Sequence, residues 1–352
     1  MKRGLLIACL LCVAVPVGAY GGWRWMQYQL DSPLKVASGY SFTVRNGDTL
    51  NAVAKRWQQE GLLVNDLWLR LAVRLDPALA DIQAGRYALE PGISVRDATQ
   101  LLREGRVELE KITLIEGWSA AQMVQAVQAH DDLIQDLPVS VQTRRDGTAF
   151  LNAAALSALA EHLNLSHSSA EGWLYPDTYQ FAAGTSATEL LRLTVGRMQQ
   201  TLAQSWSERE LTLPLASPYE MLILASIVEK ESGVRDERPH IAGVFTRRLQ
   251  QSMRLQTDPT VIYGIGQNYD GDIRRKDLNT TTAFNTYRID GLPPTPIASP
   301  GIDALHAVAK PAAGTALFFV ASGNDDGRHV FSDTREEHER AVAEYLKRLR
   351  QR

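Results

Sequence analysis

Residues 217–233, SPYEMLILASIVEKESG, constrain this chain more than any other segment. Ser217, Pro218 and Glu220 place a cap, a first-turn proline and a capping-box glutamate in order. The run MLILASIV presents apolar side chains on every face of the helix that follows, so the helix belongs at the centre of a core. A domain large enough to enclose it must surround it. The helix is expected to end in Glu229-Lys230-Glu231-Ser232, with Gly233 just past the C-cap. Positions 224, 227, 228 and 231 share one face, and 222, 225, 226 and 229 share another. Each glutamate therefore continues an apolar stripe. A carboxyl there loses hydration in its charged form, which raises its pKa. Lifting an ordinary glutamate from about 4.3 to about 6 costs roughly 2.3 kcal/mol. That is the property a general acid needs, whereas a solvated helix end would leave both groups ordinary. The spacing does not choose between Glu229 and Glu231.

The 352 residues leave room for about two domains. With 45% hydrophobic and 22% charged residues the chain is globular, which excludes disorder and a disulfide-stapled miniprotein. A net charge of -3 supplies no global basic field for nucleic acid. Both cysteines, Cys9 and Cys12, fall in the first dozen residues, so the rest has no disulfide, thiolate metal site or cysteine nucleophile. The seven histidines are scattered and neither H-E-x-x-H nor G-x-S-x-G occurs, which argues against a metal-dependent or serine hydrolase. Glu336-Glu337-His338-Glu339 reads as the face of a charged helix. No metal and no cofactor are expected.

At the other end, residues 4–23 carry no charge and follow Lys2 and Arg3. Twenty residues of helix span about 30 Å, the hydrocarbon thickness of a bilayer. The run is read as a transmembrane helix with residues 1–3 in the cytoplasm and Trp23, Trp25 and Tyr28 as an interfacial belt. Val17-Gly18-Ala19 offers the alternative of a cleaved signal peptide. Either way the body faces away from the cytoplasm, and its lack of cysteine suits a periplasm.

Residues 24–40 read as a polar linker. Three segments then align without gaps, FTVRNGDTLNAVAKRWQQEG from Phe42, YALEPGISVRDATQLLREG from Tyr87 and ITLIEGWSAAQMVQAVQAH from Ile112. In each, a short strand runs into Gly47, Gly92 or Gly117, and two residues later Thr49, Ser94 or Ser119 stands as a helix N-cap. The first segment resembles the LysM carbohydrate-binding module, which implies a glycan-facing subdomain over residues 41–110. Residues 151–210 read as mostly helical, interrupted by EGWLYPDTYQF, a loop suited either to a sugar site or to burial. A second helix over 239–251 leads to Gln256, Thr257 and Asp258 at a loop edge, a hairpin turn at 269–272, and the stiff loop GLPPTPIASPG. The C-terminus reads as a hairpin, 317–321 with 328–332, and a charged helix capped by Thr334 and Glu337.

EGWLYPDTY, ASIVEKES, VFTRRLQQSMRLQTDPTVIYGIG, FNTYRIDGLPPTPIASPG and HVFSDTREEH together resemble the YceG-like family of endolytic murein transglycosylases, in order and over most of the chain from residue 41. The resemblance implies an α+β protein with an N-terminal transmembrane helix, a small LysM-like β/α subdomain and a larger mixed α/β catalytic domain over 111–352. It further implies a protein of the bacterial inner membrane, single-pass, whose periplasmic part cuts peptidoglycan glycan strands and leaves 1,6-anhydro ends beside penicillin-binding protein synthases. It makes Glu231 the catalytic residue and Glu229 a supporting one. Gln256, Asp258, Asn285 and Tyr287 are the candidates for substrate contact or for positioning Glu231. The chain departs from the family pattern at Arg247, Thr295 and Glu339. A membrane-anchored peptidoglycan-binding scaffold without catalysis is the alternative.

Overall fold

A computed structural model describes residues 2–45 and 47–351, with side chains from residue 14 onward. It is a mixed α+β chain of two compact units, residues 1–110 with 180–184, and residues 111–179 with 185–352.

The first unit opens on helix α1 (Lys2–Asp31). Cys9, Cys12 and the side chains of residues 4–13 of the apolar run lie outside the described ones, and no helix among the described residues is long and apolar enough to cross a membrane. The segment read as a linker is different from that expectation. Helix α1 continues to Asp31, and Met26, Leu30 and Leu34 are buried in the unit's core, because apolar residues at i and i+4 give the helix end a face to bury. Arg96 secures this end through Asp31 and Gln27.

Strand β1 (Ser41–Val44) leads into α2 (Leu50–Gln59) and α3 (Leu67–Leu75). Strand β2 (Gly85–Ala88) then returns antiparallel to β1, with Phe42 opposite Tyr87, before α4 (Val95–Glu104) closes the unit. Trp57, Tyr87, Leu50 and Leu102 are almost wholly buried at its centre, and the Phe42 and Trp57 rings meet edge to face at 5.7 Å.

The second unit starts within the strand Leu109–Thr113 and continues through α5 (Ala120–Gln128) and a two-residue-strand hairpin pairing Gln142–Thr143 with Ala149–Phe150. The repeated joint holds throughout. Gly47, Gly92 and Gly117 take φ of +85°, +85° and +76°, a left-handed region that glycine enters without strain. Thr49, Ser94 and Ser119 each accept a backbone N–H three residues on, and Ser119 with Gln122 forms a full capping box. Helices α6 (Ala153–His162) and α7 (Ala187–Ser207) flank the aromatic loop.

Helix α8 (Pro218–Glu231) is the axis of this unit, in contact with α7, α9 (Arg238–Gln250), α10 (Asp258–Ile265) and α12 (Ile302–Ala309). Every residue from Met221 to Glu229 is buried, as an all-round apolar helix requires. Its end differs from expectation. Ser232 is the C-cap in an extended conformation, so the helix stops without a left-handed glycine at 233. Residues 269–272 form a turn with no strand on either side. The Asp270 carboxylate grips Arg274, at 2.9 Å to each of two guanidinium nitrogens, ahead of the short helix α11 (Arg275–Asn279). The antiparallel pair Phe318–Ala321 with His329–Ser332 and the capped helix α13 (Arg335–Arg350) complete the chain.

Candidate active site

Two residues apart on α8, Glu229 and Glu231 point to opposite sides of the helix, since each residue turns about 100°. Glu229 is enclosed. Arg238 donates to its Oε1 at 2.6 Å and the Gly301 N–H to its Oε2 at 3.0 Å. Burial pushes the Glu229 carboxyl upward, opposed by the Gly301 N–H and the Arg238 guanidinium. A Cβ at position 301 would press on the end of the Glu116 side chain, which would have to move aside. The loop GLPPTPIASPG is thereby sewn to the core, with Ile297 N–H donating to Ser226 Oγ and Ser299 bonding the backbone of Gly117 and Trp118.

Glu231 reaches the floor of a cleft of about 740 Å³ lined also by Arg248, Gln256, Thr257, Asp258, Tyr287, Phe318 and His338. The Thr257 hydroxyl donates to Glu231 Oε1. Loss of hydration pushes the Glu231 carboxyl up to about 7, against that hydrogen bond and with a contribution from the Asp258 charge. Thr257 is itself fixed, its N–H bonded to Thr286 Oγ1 at 3.0 Å and its carbonyl accepting from Thr260. A buried threonine cluster therefore holds the hydroxyl that donates to Glu231. The sequence reading placed Thr257 at the loop edge with Gln256 and Asp258 but not among the site candidates, although it stands between two of them in LQTDPT.

The remaining candidates separate. Asp258 is exposed in the cleft at the start of α10 and accepts from the Tyr287 hydroxyl at 2.8 Å. Burial, Asp258 and Glu231 all push the Tyr287 phenol upward, so it stays a hydrogen-bond donor. Gln256 takes φ of +53°, its Oε1 accepting from Arg248 at 3.2 Å and its N–H donating to the Thr286 carbonyl. Asn285 is not part of the cleft. It is buried, its Nδ2 donating to the carbonyls of Asp277, Leu278 and Thr280 while its Oδ1 accepts the Tyr287 N–H. Asn285 thus shapes the loop that presents Tyr287.

Arg248 is buried under Phe318, its guanidinium spent on the carbonyls of Arg254, Leu255 and Leu317. His338 stacks on the same ring at 5.3 Å and its buried Nδ1 has no partner among the described residues. In the EEHE run Glu337 caps α13 and Glu339 pairs with Arg335. No group of three or more histidine, cysteine, aspartate or glutamate side chains suited to a metal occurs among the described residues. Of the departures from the family pattern, Arg247 ties α9 to the carbonyls of Ala312 and Ala316, and Thr295 bonds locally to Pro296.

The model of the YceG-like family matches residues 42–344. The chain belongs to the YceG-like family. Relatives include proteins named endolytic murein transglycosylase from Streptococcus pneumoniae (strain D39) and Bacillus subtilis (strain 168), each 28% identical to it. The pneumococcal match covers 93% of this chain and 62% of the relative, so this YceG-like chain spans less than two thirds of that protein's length. The Bacillus match covers 87% and 84%. A crystal structure of a YceG-like protein from Listeria monocytogenes aligns with a TM-score of 0.52 at 26% identity, covering 86% of this chain and 98% of that one.

Proposed function

We propose that this YceG-like protein is an endolytic peptidoglycan lytic transglycosylase in which Glu231 is both acid and base. The observation that carries this reading is a cleft-lining carboxyl, Glu231, that burial raises to about 7 and that accepts from a fixed hydroxyl, Thr257. A protonated Glu231 gives its proton to the glycosidic oxygen between N-acetylmuramic acid and N-acetylglucosamine as the C1–O bond breaks. The muramyl C6 hydroxyl then attacks C1 and its proton returns to Glu231, leaving a 1,6-anhydro end without consuming water. An ordinary glycosidase needs a second carboxylate to activate water or attack C1. Here Asp258, held by Tyr287, stabilises positive charge at C1 instead.

The protein is further read as anchored in the inner membrane by residues 4–23, with a cytoplasmic N-terminus and a periplasmic body, working beside peptidoglycan synthases. Helix α1 runs unbroken to Asp31, and Trp23, Trp25 and Tyr28 lie exposed along it, which supports an interfacial belt. In the LysM-like subdomain, two helices between antiparallel strands support the glycan-facing role.

Digestion of purified peptidoglycan by the protein should yield fragments with anhydro ends by mass spectrometry. Reducing ends would mean water attacks and would refute the mechanism. The Glu231→Gln variant should fold and lose about a hundredfold or more of the rate. Sedimentation with inner membranes that resists carbonate extraction checks the anchor.

A further inference from the structure

Away from the Glu231 cleft, two hollows of about 280 and 340 Å³ share Ser119, Arg144, Ala149 and Tyr263 in their walls. Lys230 and Pro259 line the smaller one, while their chain neighbours Glu231 and Asp258 line the cleft. The hollows therefore flank the same turn of α8 and the same start of α10 as the reacting carboxyl.

Two cations line the smaller hollow, Arg144 and Lys230, and the Lys230 ammonium donates to the Gly117 carbonyl at 3.1 Å. Arg144 is presented by the hairpin at 142–150, its guanidinium over the Phe150 ring at 5.5 Å, and its buried Nε has no hydrogen-bond partner among the described residues. The Arg144 charge acts on the nearby acids Asp146 and Glu171, whose hydrogen bonds go to other groups. Asp146 accepts the N–H and hydroxyl of Thr148, and Glu171 accepts the Ala120 N–H at 2.8 Å and the Tyr263 hydroxyl at 3.1 Å. A buried donor without a partner is costly, and two cations on the wall of one hollow give it the charge to hold an anion. The Asp146 charge in the smaller hollow weighs against a dianionic phosphate, and the larger hollow is walled by Phe150, Leu151, Leu156 and Phe284.

We propose that Arg144 and Lys230 bind a carboxylate of the peptide substituent carried by the glycan strand, the apolar hollow taking an aliphatic side chain of that peptide. This rests on the reading of the protein as a peptidoglycan-cleaving enzyme and adds that it selects strands still bearing peptide.

The test compares strands carrying pentapeptides with the same strands stripped by an amidase. Wild-type kcat/KM should be about tenfold or more higher on the peptide-bearing strands, the fold-change of one charge-assisted hydrogen bond. Arg144→Gln should abolish the preference while leaving the rate on stripped strands unchanged, and Arg144→Lys should restore part of it. Equal wild-type rates, or an Arg144→Gln loss that is the same on both strands, would overturn the proposal. A calorimetric titration of the Glu231→Gln protein with a muramyl pentapeptide reads the site without catalysis. Binding that disappears when Arg144→Gln is added supports the site even if neither strand is cut, a result that would refute only the reaction. Binding indifferent to Arg144, or matched by inorganic phosphate, would overturn the site.

Discussion

One helical half-turn separates a glutamate spent on structure from one left free for chemistry. Glu229 is matched by Arg238 and the Gly301 N–H, and Glu231 by a single hydroxyl beside a cleft. Opposite responses to the same substitution follow. Glu229→Gln leaves the buried Arg238 only the more distant Glu116 carboxylate, at 3.9 Å, and should cost about 3 kcal/mol of stability, read as a fall in Tm, with part of the activity retained in the folded fraction. Glu231→Gln should stabilise. The folded carboxyl titrates near 7 against a reference of 4.5, so its stabilising contribution is complete below 4.5 and is lost as pH rises toward 7. Above pH 7 the glutamine variant should exceed wild type by about 3 kcal/mol, a gap that closes below pH 4.5 and that melts across pH would reveal. Because the acid must be protonated to donate, kcat/KM should fall as pH rises through about 7. A pH profile flat from 6 to 8 would contradict this. Both carboxyls could be seen in the sequence to continue apolar stripes, yet their partners could not. Arg238 and Gly301 come from other elements, and only folding brings them to Glu229. Asn285 illustrates the converse, a polar residue beside Tyr287 whose acceptors are all local carbonyls.

Local chemistry explains which elements were readable. Where a cap lies within three residues of its donor, the chain states its own boundary, as at Thr49, Ser94, Ser119, Ser217 and Thr334. Ser119→Ala should cost about 1 kcal/mol, lowering Tm by a few degrees without abolishing the fold. A change indistinguishable from zero would show that the Glu171 carboxylate, which also takes the Ala120 N–H, is the dominant cap of α5. Boundaries failed where a non-local or unusual partner decided them. The end of α8 is set by an extended Ser232, the turn at 269–272 by the Asp270–Arg274 grip, and the end of α1 by burial of Met26 and Leu30. The pairing of β1 with β2 joins positions over forty residues apart, beyond the reach of any local pattern.

At the scale of the whole molecule, the buried side chains fall into separate groups, and the first unit's core is drawn wholly from residues between Met26 and Leu102. The five residues 180–184 that cluster with that unit add none of these core side chains. A fragment of residues 26–110 therefore carries everything its own core needs. It should give helical circular dichroism, blue-shifted emission from the fully buried Trp57 and one cooperative melt with an enthalpy of about 60 kcal/mol for its size. A broad transition with solvent-exposed tryptophan emission would mean that the unit needs the segment at 180–184 to fold. The second unit places its demand elsewhere. Its axis α8 ends at the reacting carboxyl, so the packing that buries residues 221–228 also fixes Glu231. Truncating Ile227 to alanine should therefore cost about 2–5 kcal/mol of stability and some turnover as well, since the cavity opens one turn from the catalytic side chain.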